Sequence, residues 1–382
     1  MKIPFGKPTI NSQTLKSVRR VLTSKKLVHG PFIEKFEKKF SKFVGSKYSI
    51  GISSCTSGMH MIYYYLGLKK GDEVIIPAQT HVATAMAVEA VGAKPIFVDC
   101  DPVSGNIDTK KVEKKISNRT KVITVVHYLG LPVNMPEILR LAKKYKLFIL
   151  EDCALSLGSK LNKIHTGLIG DAGVFSFYPV KHITTSEGGM IITKNKNTYN
   201  KLKLLRAFGV NKDYNKRKIP GDYNTIYKGL NCRMSEIEAA IGIHQLSEVK
   251  RFIKIRRKNY NNLKNKLKNV RFIKFQESSH SSPLFWSYYC FTLILDDKIK
   301  KYRKEIIKKL NKLGIGTSIY YPHPVPLMDY FRKKYNSQTL ENFKNAQKFS
   351  YNTIMLPIAQ HVNDKDISYI SKNVSKILRN YE

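Results

Sequence analysis

The stretch Gly173-Val-Phe-Ser-Phe-Tyr-Pro-Val-Lys-His-Ile-Thr-Thr-Ser-Glu-Gly-Gly-Met190 decides how the chain is read. Its first half is an apolar, aromatic run of the kind that forms a buried strand. It breaks at Pro179, which has no N–H to give to a ladder. Lys181 follows, then a polar bend through Thr184, Thr185, Ser186 and Glu187, and a glycine pair leads into a second apolar run, Met190-Ile-Ile-Thr193. Most lysines lie in solvent. One held between two buried strands has its ammonium disfavoured by desolvation, which lowers its pKa. A neutral amine is a nucleophile suited to a Schiff base.

Outward from that lysine the texture is a strand-then-helix alternation. Short apolar strands are expected at Tyr48–Ile52, Glu73–Ile76, Lys94–Val98, Val122–Val126 and Leu147–Leu150, with helical segments between them. Uninterrupted apolar strands separated by helices are covered on both faces, so the sheet is expected to be mainly parallel. Polar residues follow each strand: Ser54-Cys-Thr56, Gln79-Thr-His81, Asp99, His127 and Asp152. Ligands of open α/β sheets bind outside the carboxyl ends of strands, so these five groups point to one site.

The flanks are different. Amphipathic segments at Asn11–Leu22 and Pro31–Phe43 precede the alternation. A polar, basic loop is expected at 211–222. Ser235-Glu-Ile-Glu238 carries a capping signature for a long helix from Met234 to about Lys268. Beyond it, strands are expected at Trp286–Leu295 and Gly316–Tyr321, with a helix at Lys301–Leu313 and helix for the remainder.

Composition narrows the class. The 382 residues exceed the size at which one core usually divides. No run is long and apolar enough for a membrane span. The first residues, Met1 to Pro8, lack the apolar stretch of an export signal. Five cysteines without paired spacing argue for reduced thiols, hence a cytoplasmic setting, and none is spaced as a zinc knuckle; no metal is expected. Lysine and arginine number 67 against 28 acidic residues, a formal net charge of +39. These cations are spread over nearly every helix and loop, and no nucleic-acid-binding motif accompanies them, so specific nucleic-acid binding is not expected. The field would favour an anionic small substrate.

Five segments together, Ser53-Ser-Cys-Thr-Ser-Gly-Met59, Gly71-Asp-Glu-Val-Ile-Ile-Pro-Ala-Gln-Thr-His81, Glu151-Asp-Cys-Ala154, Phe175-Ser-Phe-Tyr-Pro-Val-Lys181 and Gly229 to Gly242, resemble the DegT/DnrJ/EryC1/StrS sugar aminotransferases, fold-type I pyridoxal-phosphate enzymes. The resemblance covers the chain from Lys47 to at least Pro357. It implies an α/β fold-type I transferase with a mainly parallel central sheet. The large cofactor-binding domain would span 1–245, its N-terminal helical segment included, and a smaller α+β C-terminal domain 246–382.

The resemblance also implies roles. Lys181 matches the lysine that binds pyridoxal 5′-phosphate covalently and then shuttles a proton, and Asp152 the carboxylate that pairs with the ring nitrogen. Thr56 and Ser57 open a helix where a phosphate is held, and Ser176 matches a further phosphate contact. His81 stands where the family stacks a ring on the cofactor face. Asn231 matches a residue that reaches the phosphate from the partner subunit, which implies a homodimer with shared active sites. Arg206, Tyr320, Tyr321 and His323 are candidates for the substrate side. The reaction implied moves an amino group from an amino acid, L-glutamate, to a keto-sugar on a nucleotide diphosphate, in amino-sugar and surface-polysaccharide biosynthesis.

The chain departs from the family at three places. Leu155 replaces the usual Gln or His near the cofactor's phenolic oxygen, Cys55-Thr56 replaces Gly-Thr, and Pro326 stands where a histidine is usual, with an extra His323 nearby. Relatives with histidine at the lysine position dehydrate a keto-sugar instead, and here Lys181 precedes His182; the lysine favours transamination. A non-catalytic regulatory or nucleic-acid-binding relative is the other alternative.

Overall fold

The computed structural model describes residues 2–211, 219, 221–336 and 343–381; most of the expected loop at 211–222 lies outside them. Two helices, α1 (Ser12–Leu22) and α2 (Pro31–Val44), precede strand β1 (Tyr48–Ile52). The alternation then runs α3 (Cys55–Tyr65), β2 (Glu73–Pro77), α4 (Val82–Glu89), β3 (Lys94–Val98), α5 (Thr109–Val112), β4 (Thr120–Val126), α6 (Met135–Tyr145) and β5 (Phe148–Asp152). A small hairpin, β6 (Lys160–Leu161) and β7 (Ile164–His165), leads to β8 (Ala172–Ser176), β9 (Gly189–Thr193) and α7 (Lys196–Leu205).

The seven-stranded sheet has the order β1-β9-β8-β5-β4-β2-β3. Strand β9 runs antiparallel to both β1 and β8, and the pairs β8–β5, β5–β4, β4–β2 and β2–β3 are parallel. The mainly parallel α/β expectation therefore holds. The inner strands are buried on both faces, as their continuous Val/Ile/Leu character requires.

Packing sets where α3 begins. Gly58 lies so close to the sheet that a Cβ there would come within 2.3 Å of Ile52 Cδ1 and 2.7 Å of Val174 Cγ1. A larger residue would lift the helix, and with it the turn at its N-terminus. Helix α8 (Glu236–Leu267) starts where the capping signature places it: Ser235 accepts from the Glu238 N–H, and the Glu238 carboxylate accepts from the Ser235 N–H. Such a cap contributes about 1 kcal/mol. The buried Glu236 carboxylate accepts from Phe32 N–H at 2.8 Å and Ile33 N–H at 3.0 Å, which ties α2 to α8.

At 32 residues, α8 runs unbroken across the expected 245/246 division. Beyond it lies a three-stranded antiparallel sheet, β10 (Ile273–Phe275), β12 (Phe291–Leu295) and β13 (Thr353–Leu356), flanked by helices at Arg303–Lys312 and Asp364–Arg379. Ile3 pairs with Ile315 of this unit, while Gly6 packs on Val180 of the large one.

Three expectations fail here. Residues 286–295 do not form one strand. A short strand β11 (Leu284–Phe285) pairs with β6 of the large unit, Tyr288 takes a left-handed φ of 50°, and β12 begins at Phe291. The chain crosses between units there, held by Trp286 Nε1–H donating to the Leu129 carbonyl at 3.0 Å. The segment Gly316–Tyr321 contributes a single bridge, Ser318 to Met355, because side chains of Gln79 and Tyr128 take the Tyr320 carbonyl. The remainder is not all helical: Thr353–Leu356 is a fully buried strand.

Candidate active site

A pocket of about 370 Å³ opens at the carboxyl ends of β5 and β8, lined by residues that include Ser54, Cys55, Thr56, Thr80, His81, Thr84, Asp152, Leu155, Ser176, Lys181 and Tyr321. Asp152 ends β5 and is 5 % exposed. Its Oδ1 accepts from the Ala154 N–H at 3.0 Å and its Oδ2 from the Thr84 hydroxyl at 3.1 Å, with the Cys55 thiol 3.9 Å from Oδ1. The Thr84 hydroxyl is itself 2.8 Å from that of Thr80. The carboxylate is thus clamped from two sides and cannot rotate freely.

Lys181 reaches the same pocket from the turn after Pro179. Burial pushes its ammonium below the ordinary lysine range, against the opposing fields of Cys55 and Asp152. Its Nζ lies 5.6 Å from the centroid of the Tyr289 ring. His182 faces elsewhere: it is buried against the Ser287 carbonyl and the Tyr289 ring, and burial with the nearby Arg256 charge holds it well below its ordinary pKa.

The α3 N-terminus closes one end of the pocket. Ser54 caps it, and its side chain accepts from the Ser57 N–H at 3.0 Å. Ser57 spends its hydroxyl within this cap, donating to the Ser54 carbonyl at 2.8 Å, and does not line the pocket. Thr56 and Ser176 do line it, and His81 stands at the open side with its ring 5.5 Å from Tyr321. Leu155 presents an apolar wall where a polar group was the family habit.

Besides Ser57, four candidates lie outside this lining. The Arg206 guanidinium pairs with Glu37 at 2.6 Å and donates to the Gly51 carbonyl at 2.9 Å. Tyr320 is partly buried behind Tyr321, its hydroxyl 2.8 Å from that of Tyr289. His323 is exposed and meets the Tyr351 hydroxyl at 3.1 Å. Asn231 is exposed and bridges Ala207, away from the pocket of its own chain.

The five strand-end groups also divide. Asp99 accepts from the Ala346 N–H at 2.9 Å and pairs with Lys111 at 3.3 Å, so it anchors the C-terminal unit. Gln79 braces the Tyr320 carbonyl and the Ser350 hydroxyl. His127, Glu151 and Cys153 lie together as a metal set would, yet they are used as a bracket. His127 Nδ1 accepts from the Val133 N–H at 3.1 Å, so Nε2 carries the proton that goes to Glu151 at 2.9 Å. Burial would raise the Glu151 carboxyl, but His127 and the N–H groups of Gly167 and Gly170 hold it below its ordinary value.

Thr84, Tyr178, Glu187 and Tyr289 were not anticipated. Thr84 had a legible signal, a hydroxyl in the first turn of an alanine-rich helix just past a strand end. Tyr289 had none.

The donor set fits pyridoxal phosphate: an amine whose pKa burial lowers, a fixed carboxylate for a ring nitrogen, and a helix N-terminus with Thr56 and Ser176 for a phosphate. The family model for DegT/DnrJ/EryC1/StrS aminotransferases matches residues 8–375. An uncharacterized protein of Methanocaldococcus jannaschii is 36 % identical over 386 residues, covering 98 % of this chain and 97 % of its own length. GDP-perosamine synthase of Escherichia coli O157:H7 is 31 % identical over 377 residues, covering 98 % of each. Among solved structures, the sugar aminotransferase Spr1654 of Streptococcus pneumoniae in its PMP-form superposes with a TM-score of 0.93 at 24 % identity, over 100 % of both chains. The chain belongs to the DegT/DnrJ/EryC1/StrS aminotransferase family, whose members are pyridoxal-phosphate-dependent sugar aminotransferases.

Proposed function

We propose that this enzyme transfers an amino group from L-glutamate to a keto-sugar carried on a nucleotide diphosphate, in amino-sugar and surface-polysaccharide biosynthesis, with Lys181 and Asp152 as its catalytic residues. The observation that carries the reading is the meeting of the depressed Lys181 amine and the clamped Asp152 carboxylate in one pocket. When bound, pyridoxal phosphate supplies the electron-accepting ring that makes the donor's α-proton removable. Lys181 Nζ, whose pKa burial lowers, can take that proton and return it elsewhere. Asp152 would hold the ring nitrogen, in the orientation set by Ala154 N–H and Thr84. Thr56, Ser176 and the α3 N-terminus would hold the phosphate, and His81 would cover the ring face.

A net charge of +39 favours a dianionic substrate. Asn231, exposed in its own chain, is free to serve a neighbouring pocket, which supports a homodimer with shared sites. The five cysteines are buried free thiols, in keeping with a reducing, cytoplasmic setting. Tyr321 is the substrate-side candidate that lines the pocket. The dehydratase alternative gains nothing from His182, which is packed behind the lysine turn.

The test has two steps. Borohydride reduction of the holoenzyme should fix the cofactor to a peptide containing Lys181. Glutamate with a panel of nucleotide-linked 3-keto and 4-keto sugars should then give an amino-sugar by product mass. Turnover by Lys181→Ala would defeat the assignment.

A further inference from the structure

The Lys181 turn also borders a second and much smaller void. Its walls come from four separate places: the N-terminal segment Phe5–Lys7, the turn Pro179–Lys181, Arg256 on α8, and Pro357–Gln360. It measures about 10 Å³, room for one particle of water size. Gly6 packs directly on the lysine turn; a Cβ there would sit 3.0 Å from Val180 Cγ1.

The polar atoms around this void are unusual. Arg256 is 3 % exposed, yet no carboxylate pairs with it among the described residues. One terminal nitrogen donates to the Tyr289 carbonyl at 2.5 Å, and its buried Nε has no hydrogen-bond partner. Gln360 Oε1 and His361 Nδ1 are also buried without partners. The other ends of those side chains hold the N-terminal segment: Gln360 Nε2 donates to the Thr9 hydroxyl at 3.3 Å, and His361 Nε2 lies 2.8 Å from the Pro4 carbonyl. The charged groups that line the void besides the Lys181 amine are Arg256 and Lys7, both cationic, and no carboxylate lines it. The carboxylates nearest in effect lie beyond the walls, Asp152 across Lys181 and Asp366 behind His361.

We propose that this void is a site for one monovalent, halide-sized anion, held by the Arg256 guanidinium, that ties the N-terminal segment and Pro357–Gln360 to the turn carrying Lys181. A water molecule would suit the size but would leave the charge uncompensated. A guanidinium taken out of water without a counter-ion carries a large desolvation cost. A chloride ion accepts from the unpartnered Nε–H and from an amide of Gln360 turned toward it, since the oxygen and nitrogen of that group exchange places on a flip. The Arg256 charge already reaches both His182 and His361, so an ion here would act on the segments on either side.

Two measurements on the holoenzyme decide the matter. Crystals grown or soaked in bromide should show one anomalous peak beside Arg256 Nε; ordered water without such a peak overturns the proposal. In solution at constant ionic strength, Tm should be higher in chloride or bromide than in gluconate and should saturate with halide, as ligand linkage requires. Arg256→Met should lose that halide-dependent increment, and an increment of equal size in wild type and variant also overturns it. Should Arg256→Met fail to fold, the bromide peak in the wild-type crystal decides alone.

Discussion

Asp152 and His323 were both expected to serve the same reaction, and they sit in opposite kinds of surroundings. Asp152 ends a central strand, is 5 % exposed, and has an oxygen held by a backbone N–H and another by a buried hydroxyl. His323 lies on the C-terminal unit, exposed, with one ring nitrogen near a tyrosine hydroxyl. The pocket is therefore built to keep atoms in place, whereas His323, outside its lining, is an exposed side chain with room to move. Chemistry needs the first arrangement, because a misplaced acid or base loses rate steeply. Selection among substrates can live with the second.

Substitutions can break this contrast in order of size. Lys181→Ala should lower turnover by at least about a thousandfold and abolish borohydride fixation; retained fixation at another lysine would move the site. Asp152→Asn should cost about 10²–10³-fold in kcat, with the cofactor still bound by absorbance. If instead Asp152→Asn only weakens cofactor retention, the carboxylate is a holder and not an electronic partner.

Thr84→Val tests whether the clamp itself matters. A hydrogen bond to a charged group is worth about 1.5–3 kcal/mol, so kcat should fall by about tenfold or somewhat more while Thr84→Ser stays close to wild type. An unaffected Thr84→Val would mean that the Ala154 N–H alone orients Asp152.

The depressed Lys181 pKa carries a smaller, pH-dependent effect on the apoprotein. Its folded pKa lies below the ordinary 10.5, so between the two values the unfolded chain binds a proton that the folded chain does not. Stability relative to Lys181→Met should therefore rise with pH through that window and level off above it. Denaturation midpoints of both proteins across the alkaline range would show it, and a falling difference would mean that the amine is stabilised as the cation. The smallest effect belongs to the exposed His323: His323→Ala should change the sugar KM by about a factor of two, the scale of an exposed substitution. A loss of tenfold or more would place His323 among the determinants of specificity.

Much of the large unit was legible because its signals are local. Continuous apolar runs marked β1 to β5, and Ser235 with Glu238 marked the start of α8 within a residue or two. The C-terminal unit was read less well. Tyr288 adopts a left-handed backbone that interrupts an apolar run, and Tyr320 gives its carbonyl to Gln79 and Tyr128 instead of a ladder. Both events depend on partners more than a hundred residues away, which no window of sequence contains.

The amino-acid sequence alone determined that a lysine would be caught between two buried strands, with an acid at the end of a third. Which polar strand ends share the pocket was decided by tertiary contacts rather than by place in the sheet. Thr56 after the edge strand β1 and His81 after β2 line it, while His127 after β4 is held by Glu151. Asp152 and Ser176 end the neighbouring strands β5 and β8, whereas Asp99 ends β3 at the far edge of the sheet and was captured by the C-terminal unit. Burial did the rest. Lys181 is chemically like the other lysines of this basic chain, and it is the desolvation imposed by its tertiary neighbours, together with the fixed carboxylate of Asp152, that makes it a base.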